Sequence, residues 1–597
     1  MRHPIRQLVS LLALCLALAV HAQDFESTRQ AAEKGDAQAQ TRLAQMYFTG
    51  QGAARDDAQA ARWFREAAEQ GDADAQASLG WLHAKGRGVA QSHTEAAQWY
   101  HKAALQGHAV AQYNFGAAYC AGRGVAQSSA EAVQWYRKAA EQGYAPAQYS
   151  LGVMYAKGRG VAQDDAQAVQ WFREAARQGD AQAQNDLGVM YLTGRGVAQN
   201  DAQAMQWFRK AAEQGYARAQ FGLGAMYVEG RGAAQNDAQA AQWYSKAAGQ
   251  GYADAQVNLA AMYAEGRGVA QNDAEAARWF REAAEQGSAP AQYSLGSMFY
   301  TGRGVTQDDA QAVRWYRKAA EQEYAHAQDN LGLMYAEGRG VAQSDAEAVR
   351  WFRRAAEQGY ANAQTNLAIM YLSGRGVAQS DAEAAQWFRK AAEQEEVLAQ
   401  YNFGVMYRDG RGVAQNDTEA VRWFRKAAEQ GYAQSQHNLG AMYRDGRGVA
   451  QSDAEAVRWF REAAEQGYAP SQNNLGAMYW DGQGVAKSHA QAARWFRKAA
   501  EQGNVSGQLL LGAMYWDGLG VAQNKAQAAR WFRKAAEQGS AQAQADLGWM
   551  YAKGQGVPQS DAQAARWFRK AADQGHKGAA AALEAMGKPV IEPGPGR

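Results

Sequence analysis

The sequence predicts an all-α solenoid of stacked helical hairpins, and three observations carry that prediction. A Trp recurs every 36 residues fifteen times without a slip, from Trp63, Trp99, Trp135 and Trp171 to Trp567. Within each period the apolar residues fall on two helical faces separated by a Gly-x-Gly break. The second face is preceded in every period by a helix-start signal. A fixed period of this length marks units that stack on their neighbours, and it overrides the expectation that 597 residues divide into several globular domains. A residue present in every unit is scaffold. What is particular to this protein sits where the units differ.

Taken in order, residues 1–22 read as a secretory leader. Arg2 and Arg6 supply the positive start, Leu8 to Val20 the apolar run, and Val20-His21-Ala22 the small residues before a cut at Gln23. The run is too short for a confident membrane span. A lipoprotein signal ending at Cys15 is the rival reading, but Leu14 stands where a small residue is needed. The predicted location is therefore periplasmic or secreted, with no membrane span once the leader is gone. Removing Arg2 and Arg6 from the 62 Lys and Arg leaves a balance with the 60 Asp and Glu. No stretch is a basic run, which argues against nucleic acid as a partner. Cys120 is the one cysteine that remains, so a disulfide framework is excluded.

Residues 23–35 resemble a lone second helix and read as an N-terminal capping helix. Residues 36–575 are the fifteen repeats, 576–587 a C-terminal capping helix, and 588–597, with Pro589, Pro593 and Pro595, a disordered tail.

The unit from Asp180 to Gly215 shows the design. Ala183, Leu187, Met190 and Tyr191 share one face of a first helix, A. Thr193-Gly194-Arg195-Gly196 breaks it. Ala204, Trp207, Phe208, Ala211 and Ala212 share one face of a second helix, B. The repeat Trp residues are expected to be buried throughout. Position 21 of the unit is Asp, Ser or Asn in all fifteen units, and Glu or Gln follows three residues later, as in Asn200 and Gln203. That is capping-box spacing, which predicts two orphan N–H groups satisfied. Helix B ends at Gly in thirteen units; Glu323 and Glu395 replace it, predicting strained or differently capped junctions. Gln at position 5, as in Gln40 and Gln76, is expected to bond an inter-helix backbone group.

The pattern A-x-A-Q-x-x-L-G-x-M-Y-x-x-G-x-G-V-x-Q-x-D-x-x-x-A-x-x-W-F-x-K-A-A-E-Q-G resembles the Sel-1-like repeat, a relative of the tetratricopeptide repeat, over essentially all of the chain after the leader. The resemblance implies an αα right-handed superhelix and a role as a scaffold or adaptor for other proteins. A cysteine-rich branch of the family is associated with β-lactam binding or hydrolysis; this chain lacks its paired cysteines.

Catalytic and cofactor readings are weak. Gly-Arg-Gly, first at Gly86-Arg87-Gly88, could cradle phosphate with backbone N–H groups, but no Gly-Lys-Ser/Thr follows it, and a helix-joining turn explains it. His83, His93, His101, His108 and Cys120 do not fall at zinc-ligand spacings. No Lys follows a Ser by three residues, as Ser-x-x-Lys chemistry requires. No enzyme activity, cofactor or metal is expected. The alternatives kept open are a cell-wall hydrolase or inhibitor and a passive spacer.

The variable positions of helix A are 3, 6, 10 and 13, a helical face opposite the Leu/Met/Tyr stripe. In superhelices of the resembled family that face lines a concave groove. A protein or peptide groove is therefore expected over the ninth to fourteenth units. Its candidates are Tyr401, the row Asn330, Asn366, Asn402, Asn438 and Asn474, and the pairs Arg408-Asp409, Arg444-Asp445, Trp480-Asp481 and Trp516-Asp517. The Asn row suits an extended backbone, Trp and Arg suit interface anchors, and the Asp residues would select basic groups. The expected state is a monomer.

Overall fold

The computed structural model describes residues 24–587, which fall into two compact bodies divided between Thr306 and Gln307. Every helix among the described residues is α, and no strand occurs among them. The first body opens with a helix over 24–33. It continues from Ala37–Thr49 paired with Asp57–Glu69 to Ala253–Glu265 paired with Asp273–Glu285, and ends on Ala289–Thr301. The second begins on Asp309–Glu321. It continues from Ala325–Glu337 with Asp345–Glu357 to Ala541–Lys553 with Asp561–Asp573, and ends on Lys577–Ala585. The first helix of each pair is helix A, the second helix B. The leader at 1–22 and the tail at 588–597 lie outside the described residues.

Each start and stop has a local cause. In the fifth unit the Asp180 carboxylate accepts from the Ala183 N–H, and Gly194 ends helix A at φ 71°, where a side chain would be strained. The Asn200 side chain accepts from the Gln203 N–H at 3.0 Å and starts helix B. The second half of the expected capping box does not form. The Asn200 N–H that Gln203 would have satisfied donates instead to the Tyr191 carbonyl at 2.9 Å, and Asp56 and Ser344 do the same with Tyr47 and Tyr335. A helix A carbonyl thus replaces the Glu or Gln side chain, and the hairpin is tied shut at its turn.

No unit owns its core. Ala204, Met205, Phe208, Ala211 and Ala212 of one helix B pack with Ala219, Leu223 and Met226 of the next helix A, under Tyr191 and Trp243 from either side. Each Trp therefore covers the junction before its own unit. Ten of the fifteen repeat Trp residues are buried; Trp63, Trp171, Trp207, Trp243 and Trp387 are only half-buried, a correction to the expectation of uniform burial. Residue 27 of the unit follows the difference in most units, the exceptions being Trp63, half-buried after Arg62, and Trp99 and Trp135, buried after Gln. Arg278, Arg350, Arg422 and Arg458 lay their guanidinium groups over the following Trp at 4.4–5.6 Å, whereas Trp171, Trp207, Trp243 and Trp387 follow a shorter Gln.

Two polar ladders join neighbouring units. Gln214 Nε2 donates to Gln184 Oε1 at 2.7 Å, and Gln184 Nε2 donates to the Ala176 carbonyl of the preceding helix B at 3.0 Å. This bears out the expected role of the position 5 Gln and adds its partner. The turn Arg builds the second ladder. Arg231 Nε and Nη2 donate to the two carboxylate oxygens of Asp201 at 3.0 and 2.9 Å. Arg87–Asp57, Arg195–Asp165, Arg267–Asp237 and Arg303–Asp273 repeat the contact in the first body. Arg339–Asp309, Arg375–Asp345, Arg411–Asp381 and Arg447–Asp417 repeat it in the second. The Gly after the Arg is obligatory, because a Cβ on Gly88 would lie 1.9 Å from the Asp57 carbonyl oxygen. Gly-Arg-Gly is thus both a helix-joining turn and an inter-unit clamp.

Glu323 and Glu395 take φ 63° and 66°, the two non-Gly residues with positive φ among those described. The glycine geometry is kept and the strain accepted, as expected.

Candidate functional site

Position 10 of helix A carries four of the exposed large apolar residues among those described; Leu105, the most exposed at 66%, ends a helix B, and Val110, Leu510 and Leu519 stand at other positions. Val189, Leu333, Ile369 and Trp549 all stand at position 10 and keep 36–45% of their surface exposed. Each sits on the helix face turned away from the buried Leu and Met of the same helix.

The residues singled out from sequence are placed less freely than expected. The five Asn are half-buried, and three are already engaged. Asn366 Nδ2 donates to Asp329 Oδ1 at 2.9 Å, Asn402 Nδ2 donates to the Leu398 carbonyl at 2.8 Å, and Asn438 Oδ1 accepts from Arg408 Nη1 at 3.2 Å. Asn330 and Asn474 are half-buried in the same row. Tyr401 lies against Tyr432, ring centroids 5.3 Å apart. Arg408 grips its own neighbour Asp409 through two bonds of 2.7 and 2.9 Å, and Arg444 grips Asp445 at 2.8 and 3.2 Å. Those guanidinium bonds hold both carboxyls below the usual range. The two Asp are therefore neutralised in place and poorly suited to select basic groups.

Asp481 and Asp517 are exposed and follow Trp rather than Arg. The two Trp are not free of the core, contrary to the sequence reading that both turn away from it. Trp480 stacks edge-on against His489 at 4.6 Å and packs on the cluster of Phe496, Leu511 and Met514. Trp516 lies 4.9 Å from the Lys525 ammonium and packs on Phe532, Leu547 and Met550. A Trp at position 13 reaches over the turn to the start of its own helix B.

One of these residues nevertheless lines a cavity. Trp516, Trp549, Phe532, Ala513, Met550 and Asp546 enclose about 250 Å³ between the last two units. Trp549 is braced edge-on by Phe568 at 5.2 Å. Burial raises the Asp546 carboxyl above its usual value, against the hydrogen bond it accepts from Gln542 at 3.0 Å. Two aromatic walls and a half-buried carboxyl fit a long cationic or apolar side chain. Sequence reasoning missed Trp549 and Asp546. The signal was present: Trp549 occupies a position filled mostly by Ala, Val and other smaller residues.

The histidines go separate ways. His83 is buried, His101 stacks on Phe115 at 4.9 Å, and His108 caps a helix and meets Asp74 at 3.0 Å. Among the described residues no group of three His, Cys, Asp or Glu could hold a metal ion. Cys120 is a free, half-buried thiol. Among the described residues no helix is long and apolar enough to cross a membrane.

An αα solenoid whose repeated residues are spent on stacking unit on unit is a repeat scaffold. The Sel1 repeat model matches fifteen consecutive segments, from 37–72 to 541–576, and the chain belongs to the Sel1 repeat family. Proteins of that family are in general protein-interaction scaffolds. Among solved structures, a protective antigen of uropathogenic Escherichia coli with an SLR fold is 34% identical, covering 84% of this chain and 99% of that one, with a TM-score of 0.62. A Sel1 repeat protein from Oxalobacter formigenes is 36% identical over 52% of this chain and 89% of its own, with a TM-score of 0.43. The cysteine-rich protein B of Helicobacter pylori is 26% identical over 22% of this chain and 92% of its own, with a TM-score of 0.19. No curated protein matches the chain.

Proposed function

We propose that the protein is a non-enzymatic scaffold of the bacterial envelope or secreted space, acting as a monomer, that binds a protein or peptide partner along the helix A face. The observation that carries this reading is the Trp516/Trp549/Asp546 cavity, set on the same face as the exposed Leu333 and Ile369. Tryptophans in a partly closed cavity are the usual anchors of an interface. A Lys or Arg stem lying between the two rings would bring its charge to Asp546 and draw that carboxyl to its ionised form. The cell-wall hydrolase alternative needs an acid paired with a base or nucleophile; Asp546 is held by Gln542 and walled by indoles instead. The leader read at 1–22 supports the envelope or secreted location.

The test is partner crosslinking to the wild type, to Trp516→Ala/Trp549→Ala and to Asp546→Asn. The double variant should weaken capture by about 2 kcal/mol or more if the indoles are hot spots. Asp546→Asn leaves the packing alone and should weaken capture of a basic segment. Unchanged capture by both variants removes this cavity from the binding site.

A further inference from the structure

The Arg–Asp ladder lacks its carboxylate at Arg123 and at Arg159, and at Arg123 the unpaired cation lines a basic cavity. Thirty residues before the nine paired arginines stands Asp; thirty before Arg123 stands His93, and thirty before Arg159 stands Ser129. The turn is otherwise the same, since a Cβ on Gly124 would lie 2.0 Å from the His93 carbonyl oxygen, as Gly88 does from Asp57. Among the described residues no carboxylate pairs with Arg123, which is exposed. Arg123, His93 and Lys85 line a cavity of about 270 Å³ with Trp81, Tyr100 and Asn114, and no Asp or Glu is in its walls. Trp81 and Asn114 also line an adjoining cavity of about 480 Å³, whose walls include Phe48, Leu82 and Val110 together with Asp74, which is held by His108 at 3.0 Å. Trp81 is fixed between them, edge-on to Phe48 at 5.6 Å and 5.4 Å from the Arg87 guanidinium.

We propose that the paired cavities dock an extended segment of a partner protein in which a bulky apolar residue is flanked by Asp or Glu. The apolar side chain enters the larger cavity, and the carboxylate meets Arg123, His93 and Lys85 in the smaller one. Charge complementarity selects the occupant. Where the ladder forms, it spends its arginine on the fold; here the cation is left for a ligand, with His93 and Lys85 in the same walls, beside a largely apolar pocket that a bare inorganic anion would not fill. The proposal rests on the protein-binding reading above and places a second, acid-selective contact in the first three units.

The probe is a fluorescein-labelled peptide, Gly-Ser-Glu-Phe-Glu-Gly-Ser, titrated by anisotropy against the whole chain without its leader. The controls replace both Glu by Gln or by Lys. The decisive variant is His93→Asp, which restores the ladder partner of Arg123 and should fold at least as stably as the wild type. The Glu peptide should bind, and the Gln peptide should bind at least about tenfold more weakly. His93→Asp should lose at least about tenfold with its melting temperature unchanged or raised, and Trp81→Ala should weaken binding as well. Trp516→Ala/Trp549→Ala should bind this peptide as the wild type does. Equal binding of the Glu and Gln peptides, tighter binding of the Lys peptide, wild-type affinity in His93→Asp, or no binding of the Glu peptide overturns the proposal. If the Glu peptide fails while a partner still crosslinks at Trp549, only this site falls. If the Glu peptide binds and Trp549 captures nothing, only the other site falls.

Discussion

Arg231 and Asp201 lie thirty residues apart and meet through two hydrogen bonds of 3.0 and 2.9 Å, one unit gripping the next. The guanidinium holds the Asp201 carboxyl below its ordinary value of 3.8, and Arg87 does the same to Asp57. A carboxyl lowered by folding contributes stability above its unfolded value, and that contribution is lost as pH falls through the folded one. Helicity followed from about pH 5 to about pH 2 should show this acid loss. Replacing Arg87, Arg195, Arg231, Arg267 and Arg303 together by Gln should flatten it. An identical acid profile in the two proteins would show that the ladder contributes nothing.

Glu395→Gly should stabilise its junction. Glu395 holds φ 66°, which costs an L side chain roughly 1 kcal/mol or more, and its own carbonyl contact with Gln430 survives the change. Hydrogen exchange of the tenth and eleventh units should slow by the corresponding factor of about five. Faster exchange there would mean that the Glu side chain does more than its backbone geometry costs.

Trp423→Ala removes a side chain that is 4% exposed and seals Phe388, Ala391, Phe403 and Met406. The expected cost is about 3–5 kcal/mol, concentrated at that junction because solenoid energetics are nearest-neighbour. Exchange should rise in the tenth and eleventh units far more than at the end of the second body. Uniform loss of protection along that body would contradict nearest-neighbour coupling.

Asp329→Asn should stabilise the protein at neutral pH. Asp329 is 4% exposed, and burial pushes its carboxyl up to about 6 despite the bond from Asn366. A raised carboxyl favours folding below its unfolded value of 3.8 and loses that advantage as pH rises toward about 6. The Asn keeps the acceptor and removes the buried charge, so a gain of about 1–3 kcal/mol at pH 7 is expected, with less pH dependence between about 4 and 6. Equal stability at pH 7 would place water or an unseen donor at Asp329.

The stack was legible because each signal repeats in one unit: the Trp period, the helix starts, the glycine stops and the Gln at position 5. What crosses units was harder to read. Arg231 finds Asp201 only after the hairpins stack, and the capping box lost its second bond to Tyr191 for the same reason. The Arg–Asp co-occurrence at a spacing of thirty was a usable signal that unit-by-unit reading passed over. At the candidate site the sequence identified the variable face but not its depth. Trp480 and Trp516 bend back over the turn onto core clusters, whereas Trp549, at position 10, stands out from it.

Photocrosslinking in cells tests the central claim, a partner held on the helix A face, most directly. A photoreactive residue would replace Ile369 or Trp549 on helix A, and Gln386 or Arg530 on the exposed side of helix B. Discrete protein adducts should form from Ile369 and Trp549 and be absent from Gln386 and Arg530. Adducts from the helix B positions alone, or from neither set, would contradict it.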